Sequence, residues 1–176
     1  VYFEQSLDVL TKTHLAKEQY KTWKKNYPLL YDTIINKPLQ KVSLSVEWFP
    51  EVTIDEETGF ETHQILMGTQ SVNESPNYIV VCDAKLPIEQ KMNEDGTFSK
   101  PLNNGSVMTK QRIVHKDDVN RARDMPQKTS IIATKSTANV SIYNRNLHGE
   151  VPIKNAGSSP QLILTGHTEE GYGLSW

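Results

Sequence analysis

HKDDVNRARDMPQ, residues 115–127, and GHTEEGYGLSW, residues 166–176, follow one pattern. Each passes from a His through paired acids into a short alternating segment. The acid three positions after the His recurs, as Asp118 and Glu170. The segments before and between the two stretches read as short β-strands. Such recurrence implies a repeat architecture, with one repeat complete and its neighbours cut off, and repetition of this kind outranks any local signal in deciding the fold.

Downstream of the first stretch, strands are expected at 130–133, 140–143, 162–164 and 172–176. Upstream they are expected at 110–114, 77–84 and 63–69, and residues 119–124 form one within the stretch itself. Residues 43–49, SLSVEWF, alternate Leu44, Val46 and Trp48 against polar neighbours, and Pro50 is expected to close that strand. Turn formers in GTQSVNESPN predict a hairpin between 63–69 and 77–84. Residues 87–107 and 146–160 hold Pro, Gly and Asn without a period and read as surface loops. A last strand at 172–176 would leave an open edge, which points to part of a larger protein.

The amino-terminal region reads differently. Residues 13–27, THLAKEQYKTWKKNY, place Leu15, Tyr20 (or Gln19), Trp23 and Tyr27 on one side of a helix and lysines on the rest. Pro28 should end or bend it. Residues 1–12 show no clear period and read as an arm. The division expected is 1–37, arm and helix, and 38–176, the β-rich part.

Composition narrows the function. Nineteen basic residues against 21 acidic ones give a net charge of -2, which suits neither a blanket nucleic-acid binder nor a polyanion. A mean hydropathy of -0.55 suggests much loop. The single cysteine, Cys82, cannot make an internal disulfide and favours a reducing compartment. No apolar run approaches the ~20 residues a membrane helix needs. There is no phosphate-loop, G-x-S-x-G or H-E-x-x-H motif, and Cys82 and the five histidines lack metal-ligand spacing. No enzyme, cofactor or metal is expected.

Four stretches together carry a resemblance: EQYKTWKKNYPLLYD (18–32), SLSVEWFPE (43–51), DDVNRARDMPQKTSIIATKS (117–136) and GHTEEGYGLSW (166–176). They resemble the retinoblastoma-binding-protein family of histone-binding WD-repeat proteins. That family includes the small subunit of chromatin assembly factor one and subunits of acetyltransferase, deacetylase and remodelling complexes. The resemblance implies a mainly β fold, a seven-bladed WD-repeat β-propeller with an amino-terminal α-helix. Residues 43–49 would be the outer strand of the last blade, closing the ring. Blade one would run from about residue 63 to 144, and 160–176 would enter blade two. A chain ending at Trp176 would then lack most ring contacts and should not fold as a cooperative monomer.

The chain also departs from the family pattern. Lys41-Val42 stands where a Trp-Pro pair is usual, Gln70 where a His is usual, and Asp124 where an aromatic is usual. Tyr143-Asn144 replaces the WD-like pair, and Asn139 replaces the turn Asp. This pattern suggests a diverged paralogue.

What the resemblance implies for function is a nuclear, non-enzymatic scaffold subunit, with a deacetylase corepressor complex favoured over the chaperone. Its partners would be core histones and other chromatin-complex subunits, with no sequence-specific nucleic acid and no membrane. Asp118, Asn120, Arg121, Glu170 and Tyr172 would line the face that takes a basic peptide: an acid pairs with a cation, Asn120 bonds backbone and Tyr172 stacks. Arg121 and Arg123 are equally readable as braces pairing with Asp118 or Asp124. His115 and His167 would be structural, His115 bonding Asn139. Trp23 would be buried against the propeller, leaving Lys17, Lys21, Lys24 and Lys25 exposed on a helix-side partner site for the first helix of a core histone.

Overall fold

The structure, a computed structural model, describes residues 2–31, 33–71, 76–88, 105–154 and 157–176. The chain divides into two compact units, Val1–Ile35 and Asn36–Trp176.

The first unit is a single long helix, α1 (Tyr2–Asn26), followed by a 3-10 turn at Tyr27–Leu29. The expected arm at 1–12 is therefore helical from Tyr2. The reason lies in what the segment lacks: no Gly or Pro occurs between residues 2 and 26, so nothing breaks the backbone ladder. An apolar period is not needed for that, and a search for one starts the helix too late. Pro28 marks the end, where the amides of Leu30 and Tyr31 both turn back to the Tyr27 carbonyl, at 2.9 and 3.0 Å. Lys24 and Lys25 occupy the last turn, where a positive charge complements the helix dipole.

The second unit holds two four-stranded antiparallel sheets. The first runs β1 (Val42–Asp55), β2 (Phe60–Gln70), β3 (Asn77–Pro87), β4 (Ser106–His115), and its spatial order follows the chain. The second repeats that plan with β5 (Arg121–Met125), β6 (Lys128–Lys135), β7 (Val140–Asn144) and β8 (Leu162–Leu164). The expected hairpin joins β2 to β3, which pair in register from Phe60↔Pro87 to Gly68↔Ile79. Most of the expected loop at 87–107, residues 89–104, lies outside the described residues.

Three expectations about strands change. Pro50 does not close β1. The strand runs on to Asp55, and the register slips between Trp48 and Val52, so Pro50 sits where the ladder is interrupted and no amide is called for. β1 also does not close a distant blade. It pairs with β2 from Val42↔Gln70 to Asp55↔Phe60, across a tight turn. There the Asp55 carboxylate accepts from the Thr58 amide at 3.1 Å, and Gly59 takes φ +71°. The blades are accordingly 42–115 and 121–164, and 162–164 is the fourth strand of the second one. Finally, residues 172–176 form no strand. They are tied instead by side chains, Arg121 Nε donating to the Tyr172 carbonyl at 3.3 Å and Trp176 Nε1 to the Arg123 carbonyl at 3.3 Å.

The core lies between the sheets. Leu66, Ile79, Val81 and Ile113 from the first face Ala122, Ile132 and Tyr143 from the second, with Val119 from the link between them. Each fully buried aliphatic side chain contributes roughly 1.5–3 kcal/mol. The sheets meet through β1 and β5, where the Ser45 hydroxyl accepts from the Ala122 amide at 3.0 Å and donates to its carbonyl at 3.3 Å. From that junction each strand order leads outward, the arrangement of neighbouring blades around an axis. The fold is mainly β, with one amino-terminal helix and two open blades of a WD-repeat propeller and no closed barrel. Alternation along β1 buries Ser45 and Phe49 and leaves Leu44, Val46 and Trp48 exposed on the opposite face.

Gly68 marks the closest approach. A Cβ there would stand 2.2 Å from Val119 Cγ1. Only a hydrogen fits between β2 and the link to the second sheet.

Candidate functional site

The link between the sheets begins at His115, the last residue of β4. Its ring is buried and bridges both sheets: Nδ1 donates to the Asp117 carbonyl at 2.7 Å, which leaves Nε2 to accept from the Thr134 hydroxyl of β6 at 3.0 Å. Burial holds its pKa below the usual imidazole value, against the pull of Asp117 and Asp118. The expected partner, the Asn139 side chain, is not the one found. Asn139 acts through its carbonyl, which accepts from the Ser136 amide at 3.1 Å and hydroxyl at 3.4 Å. Tyr143, standing for the usual Trp, packs on His115 with centroids 5.8 Å apart and bonds Ser158 at 2.8 Å.

Asp118 is half-buried and engaged. Its Oδ1 accepts from the Ser71 amide at 3.0 Å and from Asn77 Nδ2 at 2.7 Å. Asn77 Oδ1 in turn takes the Thr69 hydroxyl at 3.1 Å, and Thr69 Oγ1 takes the Tyr78 amide at 2.8 Å. The bonds to the carboxylate are charge-assisted, and the set clamps the β2–β3 hairpin to the link. The adjacent Val119 amide adds a bond to the Thr69 carbonyl at 3.1 Å.

Asn120 begins the connection to the second stretch. Its side-chain nitrogen donates to Glu170 Oε1 at 3.0 Å and to the Gly171 carbonyl at 3.2 Å. With the Arg121 bond to Tyr172, this brings Asn120, Arg121, Glu170 and Tyr172 into one patch. Glu170 and Tyr172 are exposed there, while Asn120 is buried beneath them. Asp118 faces the hairpin. His167 is exposed.

Arg121 and Arg123 do brace the site, with partners other than those expected. Arg121 holds the Tyr172 carbonyl, and Arg123 Nη1 pairs with Glu47 Oε1 at 3.0 Å. Asp124 is buried on β5. Burial raises its carboxyl pKa, and the nearby Glu47 and Glu51 add to the shift.

One residue of this patch escapes sequence reasoning. Lys135, at the end of β6, is 2% exposed, and its ammonium donates to the Thr137 carbonyl at 3.2 Å. Its Cε would stand 3.1 Å from a Cβ on Gly171, so Gly171 is the residue that lets the second stretch lie over it. The available signal was a lysine ending an apolar strand, IIATK, where a solvated end is the ordinary reading.

On α1, Tyr20 and Trp23 stack at 5.7 Å, and Trp23 and Tyr27 lie 5.4 Å apart. Trp23 keeps 41% of its surface exposed. Its ring contacts are these neighbours on the same helix side. Lys17, Lys21, Lys24 and Lys25 are all exposed, with Lys21 paired to Glu18 at 2.7 Å. Among the described residues no group of His, Cys, Asp or Glu is arranged to hold a metal ion, and no helix is long and apolar enough to cross a membrane.

The family model that describes the histone-binding protein RBBP4, or the corresponding component of the CAF1 complex, matches residues 18–88. Over these residues the chain is similar to the RBBP4-like histone-binding family. The match runs from the middle of α1, through its aromatic stack, to the end of β3. It thus takes in the helix lysines from Lys21 onward and the hairpin that Asp118 clamps, while the patch at Glu170 lies beyond it.

Proposed function

We propose that this chain belongs to a histone-binding WD-repeat subunit that presents chromatin to a larger nuclear complex, without catalysis of its own. The observation that carries this reading is the family match over 18–88, which covers the end of the helix and the first three strands together. The complex we favour is of the class I histone deacetylase corepressor type. Lys41-Val42, Gln70 and Asp124 support that preference by departing from the family pattern. The alternative is a chaperone subunit of chromatin assembly or acetyltransferase complexes. Affinity purification of the full-length protein separates the two, according to whether deacetylase or acetyltransferase activity comes with it.

The proposed peptide face centres on Glu170 and Tyr172. Asn120 presents the Glu170 carboxylate while leaving its charge intact, and Tyr172 offers an exposed ring beside it for a guanidinium or an aliphatic stem. Asp118 contributes less, because its Oδ1 already serves the hairpin. A scaffold that joins subunits without reading a tail is the second reading, and that engagement of Asp118 favours it. Titration of a basic histone-tail peptide into wild-type and Glu170→Gln protein at low and high salt decides between them. A desolvated cation at Glu170 predicts a loss of about 2–5 kcal/mol, mostly as faster dissociation. An exposed contact predicts under ~1 kcal/mol, vanishing in high salt. Unchanged affinity at low salt removes this face from the mechanism.

On the helix side, Lys17, Lys21, Lys24 and Lys25 with the aromatic stack form the proposed second contact. Removal of residues 1–27 should weaken binding to a folded histone more than binding to a free tail peptide. Equal loss for both ligands would argue against a separate helix-side site.

A further inference from the structure

We propose that Lys135, buried beneath the peptide face, sets the selectivity of that face, favouring a single cationic side chain in neutral surroundings over a run of Lys and Arg. With Glu170 and Tyr172 read as a peptide site, a reading on which this inference rests, Lys135 is a charge that the fold does not explain. It is 2% exposed, and its ammonium makes one hydrogen bond, to the Thr137 carbonyl at 3.2 Å. Among the described residues no carboxylate pairs with it. A lysine is almost never fully buried without a partner, and an apolar side chain of the same shape would pack there with no ammonium to desolvate. Packing alone therefore does not call for a cation at this position.

Its place relative to Glu170 is fixed at three points. The Lys135 carbonyl accepts from the Asn120 amide at 2.9 Å. The Asn120 side chain donates to Glu170 Oε1 at 3.0 Å and to the Gly171 carbonyl at 3.2 Å. The Lys135 stem passes under Gly171 itself, where a Cβ would stand 3.1 Å from Cε and 3.9 Å from Nζ. The ammonium therefore lies beneath the residue that follows Glu170, in surroundings where a charge acts further than it does in water. Arg121 adds a second cation, its Nε held on the Tyr172 carbonyl at 3.3 Å. Two positive groups thus stand against residues 170–172, which contribute one carboxylate.

That balance discriminates by charge density. One incoming Lys or Arg is drawn to Glu170 and the exposed ring of Tyr172, and the single acid answers it. Each further cation beside the first finds no second carboxylate on 170–172 and meets the field of Lys135 and Arg121. Repulsion built in against a competing ligand is a source of specificity in its own right. Because Lys135 is covered, neither water nor a counter-ion shields it as fully as an exposed lysine. Lys135 is thus a positioning and selectivity residue that acts through Gly171 and Asn120, without touching the peptide.

The test uses the full-length protein and two fluorescent peptides of equal length, followed by anisotropy. One carries a single Arg among Gly and Ala, the other Lys-Arg-Lys at the same place. Lys135→Met keeps the stem beneath Gly171 and removes the charge. At low salt it should tighten the single-Arg peptide about threefold and the Lys-Arg-Lys peptide roughly tenfold, gains that a folding defect cannot imitate. Lys135→Arg keeps the charge and should hold the ratio of the two affinities at its wild-type value. A ratio that Lys135→Met leaves unchanged, or that Lys135→Arg moves as far, would overturn the inference. Glu170→Gln separates it from the reading beneath it. Binding lost in Glu170→Gln, with an unchanged ratio in Lys135→Met, removes the role of Lys135 alone, whereas wild-type protein that binds neither peptide overturns both.

Discussion

The two stretches that look alike in sequence are treated differently by the fold. At 115–118 the His is buried, bridges β4 to β6 and is held by Asp117 and Thr134, and the acid three residues on clamps a hairpin. At 167–170 both the His and the acid are exposed, and Glu170 is held by Asn120. The difference lies in neighbours. The first junction lies between two four-stranded sheets, whereas the second lies, among the described residues, against the start of β5 and the end of β6. Identical local chemistry becomes a lock in one setting and a presented charge in the other, because burial decides whether a polar group serves the fold or stays open to a partner.

Substitutions matched across the two junctions put that contrast at risk, and all are best read as thermal or denaturant stability of the full-length protein. The largest effect is expected at the glycines. Gly68→Ala drives a methyl group into Val119 and should cost about 3 kcal/mol, whereas Gly171→Ala meets only the flexible end of Lys135 and should cost under ~1 kcal/mol. Equal costs would mean that the second junction is packed as tightly as the first. Next come the histidines. His115→Ala empties a buried site and removes the bridge between the Asp117 carbonyl and Thr134, and should cost about 2 kcal/mol, while His167→Ala should stay within about 0.5 kcal/mol. A large cost at His167 would show that it too is locked in the whole protein.

The acids should give a smaller effect. Asp118→Asn loses the charge behind its two bonds and should cost about 1 kcal/mol, while Glu170→Gln should leave stability unchanged and affect ligand binding. A stability loss at Glu170 would make it a second clamp. The smallest expected effect is with pH. Burial lowers the His115 pKa, so below the unfolded value of about 6.5 the unfolded chain binds a proton that the folded one refuses. The stability this group contributes is present above that value and falls as pH falls through it. Asp124, whose pKa is raised, works with the opposite sign, since its contribution is lost as pH rises. Comparing wild type with His115→Gln at each pH isolates the histidine, and parallel curves would show that His115 does not titrate differently on folding.

Strand positions were readable because alternation survives in single strands: SLSVEWF puts Leu44, Val46 and Trp48 on one face, as found. Pairing was less so. The partner of β1 is specified by the turn at 55–60, where Asp55 bonds Thr58 and Gly59 takes a left-handed conformation, and by a slip in register around Pro50 that turns an apparent stop into a bulge. Those signals are weak beside a family-wide expectation about ring closure. The length of α1 was hidden for a different reason, since a helix without an apolar stripe leaves no period to find. At the site, the recurrence of His and acid located both junctions. The partners of Asp118 are 41 and 47 residues away, however, and bonds over that separation follow from the folded hairpin rather than from any local spacing. Lys135 stayed hidden because a lone lysine carries no sign of whether the chain will later cover it.

The pairing of β1 with β2 has a consequence for how the protein is made. A strand reserved for the last blade would have to wait, unpaired and with its apolar residues exposed, until the ribosome had finished the chain. With each strand joined to the next in order, the contacts of the first blade are all local, and local contacts form quickly. Residues 42–115 can hydrogen-bond as a sheet as soon as they emerge, and the next blade then docks onto a template already in place. Val46 and Trp48 are left facing outward on that early sheet, so the nascent chain carries a sticky face from its first blade onward. Its need for protection during synthesis should therefore begin there, well before translation ends.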